Sequence, residues 1–306
     1  MIAIVIPYYK KKFFKKTLDS LAAQTDKKFN VYIGDDASPE NPEELIATYN
    51  NKFNLTYIRF EDNLGSISLT QQWERCIALS GNEEWIMVLG DDDYFSSNLI
   101  ASFYRHLNKF SGKVNVLRFA RQNFFSDKDI TTEIQNNPEF ETAADSYYRR
   151  ITGKAISTLS EYAFTRNTYE KFGFYEYPLA WQSDNRAWLE FSDNKPIYSI
   201  NDAVVTVICS SQSITGSDLY AVEKRKANLS FYKYLITEKL HLFNKTQSIR
   251  ILHKYENEIK HKEKITFSVY LFLLPYYLKN YEPHAFKQFL KKMIKSLLYF
   301  KKEQSF

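Results

Sequence analysis

The chain has 306 residues, a net charge of +5 and 44% hydrophobic side chains, enough to bury a sizeable core in one large α/β domain with or without an appendage. Eight Gly and eight Pro exclude collagenous or linker-rich architecture, and Cys76 and Cys209 are too few for a disulfide framework or a Cys-based zinc site, which suits a reducing cytosol. Residues 223–306 carry 18 Lys and Arg against 7 Asp and Glu, so the back of the chain is basic and residues 1–222 hold a balance of −6.

Ile2–Ile6 is a β-branched run closed by Pro7 and predicts a first strand rather than a signal peptide, since no basic residues precede it. Phe14–Gln24 has Leu18, Leu21 and Ala22 at helical spacing. Phe29–Gly34 predicts a second strand, ending in Asp35-Asp36-Ala37-Ser38. Pro42–Asn50 predicts a helix with Pro in its first turn and Glu43 and Glu44 at the positive end of the dipole. Leu55–Phe60 predicts a third strand followed by Asn63-Leu64-Gly65-Ser66, Ser68–Leu79 a helix, and Glu84–Leu89 a fourth strand. Alternation of this kind predicts a mainly parallel sheet with right-handed crossovers. Farther on, Val114–Arg121 and Ser160–Thr165 read as strands, Glu139–Thr152 and Asn185–Phe191 as helices, and Ile197–Cys209 as one or two strands. From Tyr220 the pattern is helical, which divides the chain into an α/β domain over 1–218 and a basic, aromatic-rich helical region over 219–306.

Trp85–Tyr94 carries the strongest chemical signal: an apolar strand ending in Gly90 and three consecutive carboxylates, Asp91, Asp92 and Asp93. Adjacent carboxylates repel one another, and a hard divalent cation shared with substrate phosphates is their natural counter-charge. A solvated acidic turn is the plainer alternative. Asp35 and Asp36 follow the second strand and Asn63 and Gly65 the third, so all three polar clusters fall at one edge of a parallel sheet, where open α/β sheets bind ligands. Pro7, Tyr8 and Tyr9 add backbone groups and two aromatic faces there. No Gly-x-Gly-x-x-Gly or P-loop occurs, and the five histidines show no metal-ligand spacing.

Val5-Ile6-Pro7-Tyr8-Tyr9, Gly34-Asp35-Asp36-Ala37-Ser38, Asn63-Leu64-Gly65 and Leu89-Gly90-Asp91-Asp92-Asp93 resemble successive motifs of the family 2 inverting glycosyltransferases, in the right order over roughly residues 1–215. The resemblance implies a GT-A fold, a Rossmann-like mixed and mainly parallel sheet flanked by helices, here with a helical C-terminal extension. It implies that Asp36 bonds a base, usually uracil, and that Pro7, Tyr8, Asn63, Gly65 and Asp91 line the nucleotide-sugar. It implies Mn²⁺ or Mg²⁺ at Asp92 with Asp93, although Gly90 stands where the family often has its first Asp. The general base falls on Asp184, after Gly173-Phe174-Tyr175-Glu176; Ser183 replaces the family's usual Glu, and Glu176 is the weaker alternative. A helix N-terminus at Asp184 predicts an ionised carboxylate. The family's Arg-x-His segment is absent from Ile208–Thr215, which leaves Ser211, Ser213, Lys224 or Arg225 as phosphate contacts, and the Gln-x-x-Arg-Trp motif of processive synthases is missing.

The expectation is therefore a UDP-sugar donor and single-sugar transfer to a glycan or lipid-linked glycan, in bacterial surface polysaccharide assembly. A catalytically inactive sugar-nucleotide-binding protein and a nucleotidyltransferase remain as alternatives. Thr266–Leu278 is apolar but short and interrupted by Pro275, whereas Phe286–Lys302 is a basic amphipathic helix. Such helices lie on an anionic membrane surface or pack on another subunit, as in a homodimer. No nucleic-acid module accompanies the charge. The expected location is the cytoplasm, peripheral at the inner face of the membrane.

Overall fold

In the computed structural model, which describes residues 1–210, 218–260 and 265–303 (side chains at 218 and 299–303 excepted), the chain forms two compact units, Met1–Tyr220 and Ala221–Phe306.

The first unit opens with β1 (Ile2–Tyr8), α1 (Phe14–Ala22), β2 (Phe29–Asp35), α2 (Glu43–Ala47), β3 (Asn54–Arg59), α3 (Leu69–Ile77) and β4 (Trp85–Val88). It continues through β5 (Tyr94–Phe95), α4 (Leu99–Phe110), β6 (Val116–Phe125), β7 (Ile130–Thr131), β8 (Phe140–Glu141) and α5 (Ala143–Ile151). It closes with β9 (Tyr162–Thr165), α6 (Arg166–Phe172), α7 (Ser183–Phe191) and β10 (Ile197–Cys209). The strands form one sheet in the order β3-β2-β1-β4-β9-β6-β10-β5, with β7 on β6 and β8 on β10.

The four leading strands are parallel, so their carboxyl ends share one edge. Strand order reverses beside β1, whose neighbours are β2 and β4, and such a switch point opens a crevice at that edge. β9 enters antiparallel between β4 and β6, which makes the sheet mixed. Ile2, Ile4 and Ile6 are fully buried on one face of β1, and Trp85 sets its ring edge-on to Phe103 and Phe110 of α4. Each such aliphatic side chain contributes roughly 1.5–3 kcal/mol by leaving water. β10 is one strand whose register on β6 shifts between Ile200 and Val204, which accounts for its reading as one or two.

In this unit one sequence expectation needs correction and two helices went unread. Phe140 and Glu141 pair with β10 rather than starting a helix, and Thr142 caps α5 by accepting the Asp145 N–H. α4 and α6 were not anticipated. Leu99, Ile100, Phe103 and Phe110 give α4 its buried face, whereas α6 has only seven residues, too few for periodicity to discriminate.

The second unit contains α8 (Ala221–Tyr234), α9 (Lys245–Lys260), α10 (Phe267–Lys279) and α11 (Pro283–Glu303). Glu256 of α9 is 1% exposed, accepts the Tyr277 hydroxyl at 2.6 Å and pairs with Lys292 at 2.7 Å, which ties α9 to α10 and α11. The Tyr277 and Phe289 rings stack at 4.1 Å. Pro275 does not interrupt α10; it lies on the exposed side, where water can serve the carbonyl its ring leaves unbonded. Among the described residues no helix is long and apolar enough to cross a membrane.

Candidate active site

At the carboxyl end of β2 the chain places two buried carboxylates with different duties. Asp35 Oδ2 takes the Tyr57 hydroxyl at 2.7 Å and Arg59 at 2.8 Å, while Oδ1 takes the Ser38 N–H, so Asp35 fastens the sheet edge. Asp36, 4% exposed, turns to the loop after β3 and to Arg75 of α3. Its Oδ1 accepts the Leu64 N–H at 2.8 Å and pairs with Arg75, and its Oδ2 accepts the Gly65 N–H at 2.9 Å. Burial pushes the Asp36 pKa up, against the lowering effect of those N–H groups and Arg75. A Cβ at Gly65 would collide with Asp36 Oδ2, so glycine is what lets the loop backbone come this close. Asn63 folds the same loop, its Oδ1 accepting the Ser66 N–H at 2.9 Å.

Arg75 escaped the sequence reading. It sits over the Phe60 ring at 3.9 Å, pairs with Asp36 and Asp62, and projects from the helix face that also carries Gln72 and Cys76. A cation one turn from buried residues on an amphipathic helix is the signal that would have found it.

Pro7 and Tyr8 end β1, and the Tyr8 carbonyl accepts the Asp36 N–H at 3.0 Å. The Tyr8 ring does not face the crevice. It is fully buried against Phe14 at 4.5 Å with its hydroxyl on the Glu40 carbonyl, because position 8 continues the core-facing alternation of β1. Tyr9, 38% exposed, is the aromatic face that this turn offers.

The three carboxylates after β4 are held unequally. Asp91 Oδ2 accepts the N–H groups of Tyr9 and Lys10, both at 2.7 Å, which clips the acidic turn to the end of β1. Asp93 is 5% exposed; its Oδ1 accepts the Ile208 N–H at 2.9 Å, and Ser160 also bonds it. Ser160 Oγ in turn accepts the Gly90 N–H at 3.1 Å. Among the described residues, Asp92 has no hydrogen-bond partner but its own backbone N–H. Burial raises the Asp91 pKa to about 6, and burial with mutual repulsion raises Asp92 and Asp93 as well. A Cβ at Gly90 would stand 3.1 Å from both Asp92 and Asp93, so the glycine leaves room for the crowded turn.

Asp184 lies in the first turn of α7, behind a strained approach. Leu179, Ala180 and Gln182 adopt φ of 61°, 51° and 79°, a left-handed conformation costing non-glycine residues about 1–3 kcal/mol each. Asp184 Oδ1 accepts from the Asn185 backbone and side chain, both at 2.8 Å. Burial raises its pKa, partly countered by Arg150 and reinforced by Glu161, so desolvation outweighs the helix terminus that the sequence emphasised. Glu161 joins Asp184 to the acidic turn: it pairs at 3.5 Å with buried Arg121, whose charge also acts on Asp93. Glu176 is exposed and takes the Gln71 amide at 3.1 Å.

Asp36, Asp91, Asp92 and Asp93 thus gather on one sheet edge, and the Arg121–Glu161 pair acts electrostatically on both Asp93 and Asp184. Ser211 and Ser213 lie outside the described residues. Arg225 binds the Glu258 and Ile259 carbonyls at the end of α9, which engages it within the second unit.

Comparison with known proteins agrees with this arrangement. The sequence model described as Glycosyl transferase family 2 matches residues 3–163, more than half of the chain. A Haemophilus influenzae protein named as an uncharacterized glycosyltransferase is 32% identical over 96 residues, a stretch covering 31% of this chain and 30% of that relative. Among solved structures, S. aureus TarS 1–349 in complex with UDP-GlcNAc superposes with a TM-score of 0.62 at 16% identity, over 95% of this chain and 81% of that one. The same protein in complex with UDP gives 0.55 at 16% identity, over 99% and 91%. Those structures share the GT-A fold, and the match over β1 to β9 assigns the sequence: the chain belongs to glycosyltransferase family 2.

Proposed function

We propose that this family member uses a UDP-sugar donor and transfers a single sugar, with inversion, to a hydroxyl of a glycan or lipid-linked glycan in bacterial surface polysaccharide assembly. The observation that carries the donor reading is the pairing of Asp36 with Arg75 at the crevice. Uracil presents one N–H between two carbonyl oxygens, and a carboxylate beside a guanidinium offers the complementary acceptor and donor. Among the described residues Asp36 Oδ2 receives only the Gly65 N–H, which keeps acceptor capacity for a base. Titration with UDP, CDP and GDP tests this; equal affinities would remove the assignment.

The acidic turn suits Mn²⁺ or Mg²⁺ arriving with the diphosphate. Its donors are all hard oxygens, and among the described residues Asp92 is uncommitted while Asp91 and Asp93 brace the turn. Hard cations of this kind are held by one or two carboxylates together with substrate phosphates, so Asp92 with Asp93 would be the protein's share. When bound, the cation offsets charge developing on the leaving diphosphate.

Asp184 serves as general base. With Oδ1 engaged by Asn185, Oδ2 is, among the described residues, left for the acceptor hydroxyl, and burial makes it a stronger proton acceptor than an exposed Asp. The strained Leu179–Gln182 segment fixes its approach. In the second unit, Leu271, Leu278, Ile294 and Leu298 are 50–61% exposed beside exposed Lys287, Lys291 and Lys295, which supports peripheral contact with the anionic inner face of a membrane, where a lipid-linked acceptor would reside.

A further inference from the structure

Between α5, α7 and β9 lies a small cleft lined by Ser146, Tyr147, Arg150, Tyr162, Asn185 and Trp188. Asn185 is the residue that grips Asp184, so the cleft adjoins the base. Its chemistry is one-sided. No Asp or Glu lines it, and the polar groups that do are hydroxyls, an amide, an indole N–H and guanidinium groups. Arg118, deeper in the wall, is already neutralised by Glu141. Arg150 is not: among the described residues its side chain has no hydrogen bond and no ion pair, and its electrostatic influence falls on Asp184. Trp188 is 4% exposed, stacks on Tyr162 at 4.2 Å, and leaves its buried Nε1–H without an acceptor. A buried donor without a partner costs about 1–3 kcal/mol unless something enters to accept its hydrogen bond.

We propose that this cleft is an acceptor subsite for an oxyanion, a phosphate or carboxylate carried by the glycan, held by the Arg150 guanidinium and the Trp188 indole N–H. The inference rests on the reading of Asp184 as base and narrows the acceptor to an acidic glycan. An anion seated there places a neighbouring hydroxyl beside Asp184, and the positive charge of Arg150 offsets part of the repulsion between the anion and the carboxylate. The cleft has room for about one water-sized group, which fits the oxygen tip of a substituent rather than a whole sugar ring.

Binding is measured on the full chain with UDP and Mn²⁺ present, so that phosphate sites of the donor are filled. Inorganic phosphate, glycerol 3-phosphate and glucuronate are titrated against glycerol and glucose. Saturable binding of the anions but not the neutral compounds is expected, and preference between phosphate and glucuronate identifies which oxyanion the glycan carries. Arg150→Gln should weaken anion binding about ten-fold, the loss of one charge-assisted hydrogen bond. Trp188→Phe, which keeps the stack on Tyr162 and deletes only the N–H, should weaken it a few-fold. Asp184→Asn should strengthen it by removing a neighbouring negative charge. Equal binding of neutral and anionic compounds, or anion binding indifferent to Arg150→Gln, overturns the proposal. Failure of UDP to bind would instead sink the donor reading and leave the Arg150-dependent anion measurement standing.

Discussion

Replacing Asp36 by Asn is the sharpest perturbation of the nucleotide site, because it keeps the shape and changes only charge and donor pattern. In the wild type both carboxylate oxygens accept: Oδ1 from Leu64 and Arg75, and Oδ2 from Gly65. The amide retains one acceptor and turns an N–H₂ toward either the Gly65 N–H or the incoming base. One charge-assisted hydrogen bond to uracil N3–H is lost, worth about 1.5–3 kcal/mol, or roughly a 10- to 100-fold rise in the Kd for UDP. Cytosine inverts the pattern, with an acceptor at N3 and an amino group beside it, and an amide can answer both. Affinity for CDP should therefore hold or improve while UDP weakens, so the preference for uridine collapses. Calorimetry with both nucleotides reads this directly. Thermal unfolding serves as the folding control, since Arg75 loses one of its two carboxylate partners and retains Asp62. An unchanged UDP affinity with an unchanged UDP-to-CDP ratio would refute the placement of the base at Asp36.

Asp184→Asn should lower turnover by about 10²–10⁴-fold with little change in donor affinity, and Glu176→Gln should not; the reverse pattern would transfer the role to Glu176. The base must be ionised to work, so turnover should fall as pH drops through the Asp184 pKa, which burial places above the ordinary carboxylate value. Arg150→Gln removes the charge that lowers that pKa, while Glu161 and desolvation go on raising it, so the acidic limb of kcat should move to higher pH; a stationary limb argues against Asp184. Asp92→Ala should abolish the Mn²⁺ dependence of UDP binding and leave the melting temperature nearly unchanged, and retained metal dependence would move the cation elsewhere. Leu271→Ser with Leu278→Ser should reduce flotation with phosphatidylglycerol vesicles, and Lys287→Glu with Lys291→Glu should do so most strongly at low salt; flotation unaffected by either pair contradicts the membrane surface.

β1 and β4 were readable because buried parallel strands give near-continuous apolar runs, β2 and the half-exposed edge strand β3 by their alternating apolar positions, and each polar cluster stood after such a strand. The same logic put Asp36 and Asp91–Asp93 on a common edge. It could not say that Asp91 would spend its carboxylate on the N–H groups of Tyr9 and Lys10, since those bonds join positions more than 80 residues apart. Tyr8 was misread for a related reason: a tyrosine at a strand end reads as a surface aromatic, and only the packing of Phe14 shows that it belongs to the core. Arg75 was passed over because its two acidic partners come from the loops after β2 and β3. The unusual conformation of Leu179, Ala180 and Gln182 has no compositional mark, for none is a glycine.

The central claim is most directly tested by incubating the full chain with a panel of UDP-sugars and Mn²⁺ while resolving the nucleotide products. Release of UDP from one of them, slow alone and faster with an acidic glycan acceptor, is the predicted result. Binding without any UDP release would mark an inactive nucleotide-sugar module, and formation of UTP on adding pyrophosphate would mark a nucleotidyltransferase; either contradicts the account.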